Sequence, residues 1–173
     1  MLIVFSGLPG TGKTTIGREL AARQLCAYLR IDVIEEALRT ACGDQEAVGP
    51  AGYIVAYELA KSNLALGMTV VVDCVNPLAI TRQAWRAIAA STKSPFLEIE
   101  IVCSDLAEHR RRVEGRTIDI RGFVPPTWDA VLRHDYEPWT TNRLVVDSAS
   151  LTASEAVEAI LENAQRVVVG GNR

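Results

Sequence analysis

Residues 2–15 read LIVFSGLPGTGKTT, an apolar run followed by a glycine-rich turn and the start of a helical pattern. Residues 7–14 match GxxxxGK[ST] at every fixed position. Glycines let the backbone wrap closely around phosphate oxygens, so that successive N–H groups point inward as donors. A glycine turn that only caps a helix is the alternative, but a full match with these flanks is rare by chance. The segment therefore predicts a phosphate-binding loop between a strand and a helix.

The two residues after the last glycine carry the chemistry of such a loop. The Lys13 ammonium can reach the β- and γ-phosphates of a nucleotide, and the Thr14 hydroxyl can coordinate Mg²⁺. The helix that follows aims the positive end of its dipole at the same point. The residues predicted to bind the nucleotide are Gly7, Leu8, Pro9, Gly10, Thr11, Gly12, Lys13, Thr14 and Thr15.

Outward from this loop, short apolar runs alternate with longer segments of helical period. That pattern predicts an α/β fold, a three-layer sandwich in which helices cover both faces of a parallel sheet. The 173 residues are 49% hydrophobic and 23% charged, values typical of globular proteins. We therefore expect one domain over residues 1–173.

Charge and cysteine usage exclude some classes of function. A formal charge of −3 and a pI near 5.5 argue against a surface that neutralises many phosphates along a nucleic acid. The apolar opening is too short for a signal peptide or a membrane span. Four cysteines lie far apart without metal-ligand spacing, which favours reduced thiols and a cytoplasmic protein. Nothing in the sequence indicates the oligomeric state.

Two aspartates follow apolar runs and so should lie at the carboxyl edge of the sheet, where such folds bind their ligands. Asp73 ends the run 69–72, which favours a carboxylate that holds Mg²⁺ or orients a substrate, although a turn-capping Asp is the alternative. Asp32 follows the run 27–31 and precedes a short helix. It is a candidate base for an acceptor hydroxyl, with a helix N-cap as the competing interpretation.

The segment 109–116 concentrates four arginines in an acidic chain. At helical spacing Arg112 and Arg116 would fall on one face, where two guanidinium groups suit the charge that spreads over a transferring γ-phosphoryl group. Glycines and prolines follow, which favours a closing lid over approximately residues 105–126. A solvated basic helix is the alternative. His109 is predicted to be a surface or core residue rather than a catalyst.

Further positions carry weaker expectations. Asn76 followed by Pro77 predicts the N-cap and first residue of a helix. The alternation of Glu98 and Glu100 with apolar residues predicts a strand with one more exposed face, nearer a sheet edge. Arg82 is either a substrate contact or a surface arginine. A candidate acceptor pocket consists of Tyr53, Tyr57, Glu58, Asn76 and Arg82.

Four segments in this order, GLPGTGKTT, LRID, VVVDCVNP and HRRRVEGR, resemble the small P-loop kinases of the AAA_33-like group. That group includes phage polynucleotide kinase, zeta toxins, chloramphenicol phosphotransferase and gluconate kinase. The resemblance implies a P-loop NTPase fold with a five-stranded parallel sheet in the order 2-3-1-4-5. It also implies ATP with Mg²⁺ as the donor and a mobile arginine lid. By position, Lys13 and Thr14 would serve phosphate and metal, Asp32 would be the base, and Arg112 and Arg116 the lid pair.

The expected function is therefore transfer of the ATP γ-phosphoryl group to a hydroxyl of a small-molecule acceptor. A kinase for nucleic-acid 5′-hydroxyl ends is one alternative. Phage polynucleotide kinase has an arginine three residues after its catalytic Asp, whereas this chain has Glu35 there and reaches Arg39 only later. A nucleotide-dependent switch or ATPase that binds a protein partner is the other alternative, although a guanine-reading NKxD segment is missing from the sequence.

Overall fold

The computed structural model describes residues 1–42 and 48–170. Residues 43–47 and 171–173 of the predicted 1–173 domain lie outside that part. The described residues form five strands and seven helices. In chain order these are β1 Leu2–Ser6, α1 Lys13–Arg23, β2 Cys26–Arg30, α2 Ile31–Cys42, α3 Ala51–Ala65, β3 Thr69–Asp73, α4 Ala79–Ser91, β4 Phe96–Val102, α5 Leu106–Glu114, α6 Trp128–Leu132, β5 Leu144–Asp147 and α7 Ala153–Gly170.

The strands form one parallel sheet in the order β2-β3-β1-β4-β5. β1 lies at the centre, where Leu2 pairs with Val70 of β3 on one side and with Phe96 of β4 on the other. The predicted α/β class and strand order are thereby confirmed. Since all five strands run the same way, the loops that follow β1, β2 and β3 leave from the same edge of the sheet.

One hydrophobic cluster lies on each face of the sheet. Ile3 and Phe5 of β1 point into a cluster that α1 and α7 complete, whereas Leu2 and Val4 point into one that α2, α3 and α4 complete. All four side chains are fully buried. Side chains alternate between the faces of a strand, so a continuous apolar run is what a strand covered on both sides requires. The predicted three layers follow from this run.

Helix ends agree with the local sequence signals at two places. Gly67 has a φ of +79° and follows the last turn of α3, where its N–H donates to the carbonyl of Leu64. Before α7, the backbone N–H of Thr152 donates to the Glu155 carboxylate at 2.8 Å, and the N–H of Glu155 donates to the Thr152 hydroxyl at 3.3 Å. This reciprocal pair is a capping box.

The interpretation of Asn76 as a helix N-cap is wrong. α4 begins only at Ala79, and Leu78 occupies the cap position. Asn76 has a φ of +49° and is fully buried, and its side-chain N–H donates to the Ser6 hydroxyl at 3.0 Å. The amide therefore ties the loop after β3 to the end of β1.

The expected exposed face of β4 is also wrong. Glu98 and Glu100 are buried, and β4 lies inside the sheet between β1 and β5. The Glu98 carboxylate accepts two hydrogen bonds from Arg86, and Glu100 accepts one from Arg143. Guanidinium groups thus pair with the two carboxylates, which the alternation of charges along the strand could not reveal.

Arg82 is not a surface residue. Its guanidinium is buried and donates to the backbone carbonyls of Asn76, Pro77, Glu137 and Pro138. It also lies 4.1 Å from the centre of the Trp139 ring. Arg82 thus fastens the segment before β5 to the loop that follows β3.

No helix in the two described ranges is both long and apolar enough to span a membrane. The four cysteines, Cys26, Cys42, Cys74 and Cys103, are all free thiols.

Candidate active site at the carboxyl edge of the sheet

The glycine-rich loop lies between β1 and α1, as its sequence predicts. Gly7, Gly10 and Gly12 have φ values of +139°, +85° and +95°, which L side chains rarely adopt. Space is limited as well, because a Cβ at Gly7 would overlap the carbonyl oxygen of Ile101, and a Cβ at Gly10 would overlap a methyl of Val113. Both the conformation and the close packing of this loop require glycine.

We expect Gly7→Ala to lower the free energy of unfolding by at least about 2 kcal/mol, because it adds a backbone clash to a strained φ. Gly67→Ala is the matched control. Gly67 also has a positive φ, but nothing lies within 4 Å of its added Cβ, so this change carries the strain alone, about 1 kcal/mol. Urea unfolding of both variants measures the difference. Equal losses would show that the contact with Ile101 has no effect on stability.

Lys13 begins α1 and folds back over the loop. Its Nζ donates to the carbonyl of Leu8 at 2.8 Å, and the side chain is buried. Burial lowers the pKa of Lys13, while the nearby carboxylates of Asp73 and Asp32 oppose that shift. An ammonium group in this position faces the space that the loop encloses.

Thr14 and Asp73 meet across the sheet edge. The Thr14 hydroxyl donates to Oδ2 of Asp73 at 2.7 Å, and the Tyr28 hydroxyl donates to the same oxygen at 2.8 Å. Burial, together with Asp73, raises the pKa of Tyr28, so this phenol stays a donor. The hydroxyl of Thr14 and the carboxylate of Asp73 are 59 residues apart in the chain, and only the parallel sheet brings them together.

These two oxygen groups fit Mg²⁺, which proteins hold through one or two carboxylates together with substrate phosphates and water. In the described part of the chain, no group of three or more His, Cys, Asp and Glu side chains could hold a metal ion. A site made of Thr14 and Asp73 would therefore need the phosphates of a nucleotide to complete it.

Asp32 lies in the first turn of α2, which begins two residues earlier than an N-cap at Asp32 requires, so the N-cap interpretation is wrong. Among the described residues, its carboxylate accepts no hydrogen bond from a backbone N–H. Burial and the charge of Asp73 raise the pKa of Asp32, while Lys13, Arg30 and Arg116 oppose the shift. Its Oδ2 lies 3.8 Å from Nη2 of Arg30 and 3.9 Å from Nη2 of Arg116.

The prediction that Arg112 and Arg116 share one helix face is wrong. α5 ends at Glu114 with Gly115 as its C-cap, so Arg116 lies beyond the helix. Arg112 donates to the hydroxyl of Ser148 at 2.8 Å and to the Ser148 carbonyl at 3.0 Å. Both arginines nevertheless line the same cavity beside the glycine-rich loop.

His109 is a core residue, one of its two predicted places. It is buried, and its Nε2 lies 2.8 Å from the carbonyl of Pro9. Its ring meets the ring of Trp128 edge to face, with 5.1 Å between the centres. This histidine therefore joins α5 to the glycine-rich loop and α6.

Sequence reasoning did not single out Arg30 and Asp119. Arg30 ends β2 and is buried, and its Nη1 donates to Oδ2 of Asp119 at 2.8 Å. Asp119 belongs to the segment between α5 and α6, and it also accepts a hydrogen bond from Arg18. A charged residue at the end of an otherwise apolar run was the available signal for Arg30, since a buried arginine needs an acceptor.

Most of these groups line one cavity of about 470 Å³. Its lining includes Gly10, Gly12, Lys13, Thr14, Thr15, Arg18, Arg30, Asp32, Asp73, Arg112, Arg116, Asp119 and Phe123. The candidate acceptor residues Tyr53, Tyr57, Glu58, Asn76 and Arg82 are absent from this lining. Tyr53, Tyr57 and Glu58 belong to α3 and Arg82 to α4, whereas Asn76 lies in the loop after β3 and bonds to Ser6 outside the cavity lining.

Comparison with known proteins agrees with this arrangement. Residues 2–123 match a family described as AAA domain. A candidate kinase from Chloroflexus aurantiacus shares 21% identity over 95% of this chain and 96% of its own, with a TM-score of 0.72. A gluconokinase from Sinorhizobium meliloti shares 19% over 95% and 91%, with a TM-score of 0.66.

A third similar structure is an APS kinase from Mycobacterium tuberculosis in complex with AMPPNP and APS. It shares 20% identity with this chain over 93% of this sequence and 95% of its own, with a TM-score of 0.66. At this level of identity the similarity establishes the fold. No protein of curated function matches the chain.

Proposed function

The chain belongs to the AAA_33 family of AAA domains, and from this premise we propose that it is a kinase that transfers the γ-phosphoryl group of ATP to a hydroxyl of a small molecule. The observation that carries the proposal is one cavity in which Lys13, the Thr14–Asp73 pair and Asp32 converge. A phosphate-binding loop alone would serve any nucleotide-binding protein. The half-buried carboxylate of Asp32 lines the same cavity as the loop and accepts no backbone hydrogen bond among the described residues, which supports group transfer.

In the proposed reaction the acceptor oxygen attacks the γ-phosphorus of ATP. The new O–P bond forms as the bond between the γ-phosphorus and the β–γ bridging oxygen breaks, and ADP leaves. The acceptor proton passes to the carboxylate of Asp32. Backbone N–H groups of the loop and the Lys13 ammonium hold the phosphate oxygens, so that charge developing during transfer meets fixed donors.

The roles of metal and lid belong to the same proposal. Thr14 and Asp73 would hold Mg²⁺, which neutralises phosphate charge when bound. Arg112 and Arg116 would approach the γ-phosphoryl group from the proposed lid, residues 105–126. Arg112 is held by Ser148 on the loop after β5, and Arg116 lies 5.5 Å from the ring centre of Phe123 within the lid itself. Each guanidinium is thus placed by a defined neighbour.

The similarity to a gluconokinase and an APS kinase supports a small acceptor, and the AMPPNP complex of the APS kinase supports ATP as donor. The acidic pI disfavours a nucleic-acid strand as the acceptor. The four free thiols favour the reducing cytoplasm as the compartment of this activity.

A metabolite screen tests the proposed activity. Purified protein is incubated with ATP, Mg²⁺ and pooled hydroxyl compounds, and mass spectrometry records ATP-dependent gains of one phosphate. A 5′-hydroxyl oligonucleotide in a parallel reaction tests the nucleic-acid alternative. ATP hydrolysis that a protein partner stimulates, with no phosphorylated acceptor in either reaction, would favour an ATPase module instead.

We expect Asp73→Asn to raise the Mg²⁺ concentration needed for half-maximal turnover about tenfold or more, because a neutral amide binds the ion more weakly than a carboxylate. Saturating Mg²⁺ should restore part of the rate. Glu58→Gln, on the exposed surface of α3, is the control and should leave the Mg²⁺ requirement unchanged. A magnesium titration of ATP turnover in both variants makes the comparison. An unaltered requirement in Asp73→Asn would remove Asp73 from the metal site.

A further inference from the structure

Arg30 is buried, and its three guanidinium nitrogens differ in whether they make a hydrogen bond. Among the described residues, only its Nη1 makes a hydrogen bond, to Asp119 at 2.8 Å. Its other two nitrogens, Nε and Nη2, are buried without a hydrogen-bond partner. Each faces one carboxylate beyond hydrogen-bond distance, since Nε is 3.9 Å from Oδ2 of Asp73 and Nη2 is 3.8 Å from Oδ2 of Asp32. The guanidinium thus lies among three carboxylates but is bonded to one.

The carboxylate that accepts the hydrogen bond from Arg30 belongs to a segment far along the chain from β2. Asp119 lies between α5 and α6, and its Oδ2 accepts from Arg18 of α1 as well as from Arg30 of β2. These hydrogen bonds, that from Arg30 first, hold the pKa of Asp119 at about 2. Gly122 packs so closely on Glu36 of α2 that a Cβ there would overlap the carboxylate. The segment is therefore docked on three elements of the core.

Removing Asp119 from this place would leave Arg30 buried with no acceptor in hydrogen-bond contact. A buried charge without a partner is strongly unfavourable, so the guanidinium would move to the nearest available carboxylate. Asp73 already accepts hydrogen bonds from Thr14 and Tyr28 on its Oδ2. No hydrogen bond to the Asp32 carboxylate is found among the described residues, and Nη2 needs to move about 1 Å to make one.

From this geometry we propose that Asp119 is a latch that holds Arg30 away from Asp32, so that the carboxylate of Asp32 is free only while the segment between α5 and α6 is docked. When the segment lifts, Arg30 pairs with Asp32 and occupies the oxygens that would accept a proton. Docking of this segment thereby leaves the Asp32 carboxylate free to accept a proton. This inference rests on the proposed kinase function, in which Asp32 is the base, and makes Asp119 and Arg30 positioning residues.

Four proteins test the latch: the wild type, Asp119→Asn, Arg30→Gln and the double variant. Calorimetry measures affinity for AMPPNP with Mg²⁺, and steady-state assays measure turnover of ATP with water as the acceptor. Asp119→Asn should lower kcat about tenfold or more, with the AMPPNP affinity changed much less. Adding Arg30→Gln should recover most of that loss, because the guanidinium that would pair with Asp32 is absent. Asp119→Glu should retain more turnover than Asp119→Asn.

The recovery separates a latch from a purely structural role. If Asp119 only stabilised the fold, removing Arg30 as well would leave the double variant equally slow or slower, and that result overturns the proposal. Unchanged kcat in Asp119→Asn also overturns it. Glu114→Gln is the matched control, because Glu114 pairs only with the exposed Arg110 on α5 and should leave turnover unchanged.

A crystal structure of Asp119→Asn tests the latch independently of turnover. Arg30 within about 3 Å of the Asp32 carboxylate supports the proposal, and an unmoved Arg30 overturns it. If the wild type binds AMPPNP but phosphorylates no acceptor in the metabolite screen, the kinase function fails, and the position of Arg30 in the variant crystal still supports or overturns the latch.

Discussion

Replacing Lys13 by methionine should lower kcat about 10²–10³-fold. Methionine keeps most of the length and the apolar stem of lysine, so the buried space next to Leu8 stays filled. The change removes the one ammonium group that lines the cavity in the described part of the chain. Charge that builds up on the phosphate oxygens during transfer then has one fixed donor fewer.

Steady-state ATP turnover gives the size of the Lys13→Met effect, and thermal unfolding checks the fold. Lys61→Met is the control, since Lys61 is exposed on α3 and pairs only with Glu58. We expect Lys61→Met to retain the wild-type rate. A Lys13→Met protein that keeps its fold and its full kcat would exclude Lys13 from phosphoryl transfer, and with it the proposed role of the loop.

Asp32→Asn should lower transfer to the acceptor about 10²–10⁴-fold while ATP binding persists. Asparagine matches the shape of aspartate but cannot take a proton from a hydroxyl. Asp135→Asn, an exposed loop position, provides the control. Calorimetry with AMPPNP separates a loss of nucleotide affinity from a loss of chemistry. Unchanged turnover in Asp32→Asn would remove Asp32 as the base.

The pH profile of the wild type supplies a second measurement on Asp32. A base works as its carboxylate, so kcat falls when pH drops through its pKa. Burial and the neighbouring Asp73 raise that pKa. The acid limb of the profile should therefore lie above the value of about 3.9 that an ordinary aspartate gives. Asp32→Asn should lose this limb along with the rate. An acid limb at the same pH in the variant would assign the titration to another group.

Much of the fold follows from local sequence signals. The apolar run 2–6 and the glycine-rich turn after it predicted a strand, a phosphate-binding loop and a helix, and β1 and α1 occupy those residues. Local signals sufficed because the positive φ values at Gly7, Gly10 and Gly12 and the helical start at Lys13 depend on neighbours within a few residues. The position of Asp73 at a strand end was predicted for the same reason.

The predictions that the structure contradicts share a different cause. Glu98 and Glu100 were interpreted as an exposed face, yet Arg86 and Arg143, distant in sequence, cover them. Arg82 was interpreted as a surface or substrate residue, yet backbone carbonyls from residues 137 and 138 surround it. In each instance the neighbours of a charged side chain come from another part of the chain. The sequence does not show that these parts pack together.

By itself, the sequence determined the secondary structure around the loop, the parallel α/β class and the identity of the groups that could handle a nucleotide. The tertiary structure alone decided which of them meet: that the Thr14 hydroxyl reaches Asp73, that Arg116 lies past the end of α5, and that Arg30 is bonded to Asp119 and not to Asp32. Backbone conformation depends on neighbours along the chain, whereas the partner of a charge is whichever residue packing brings within about 3 Å.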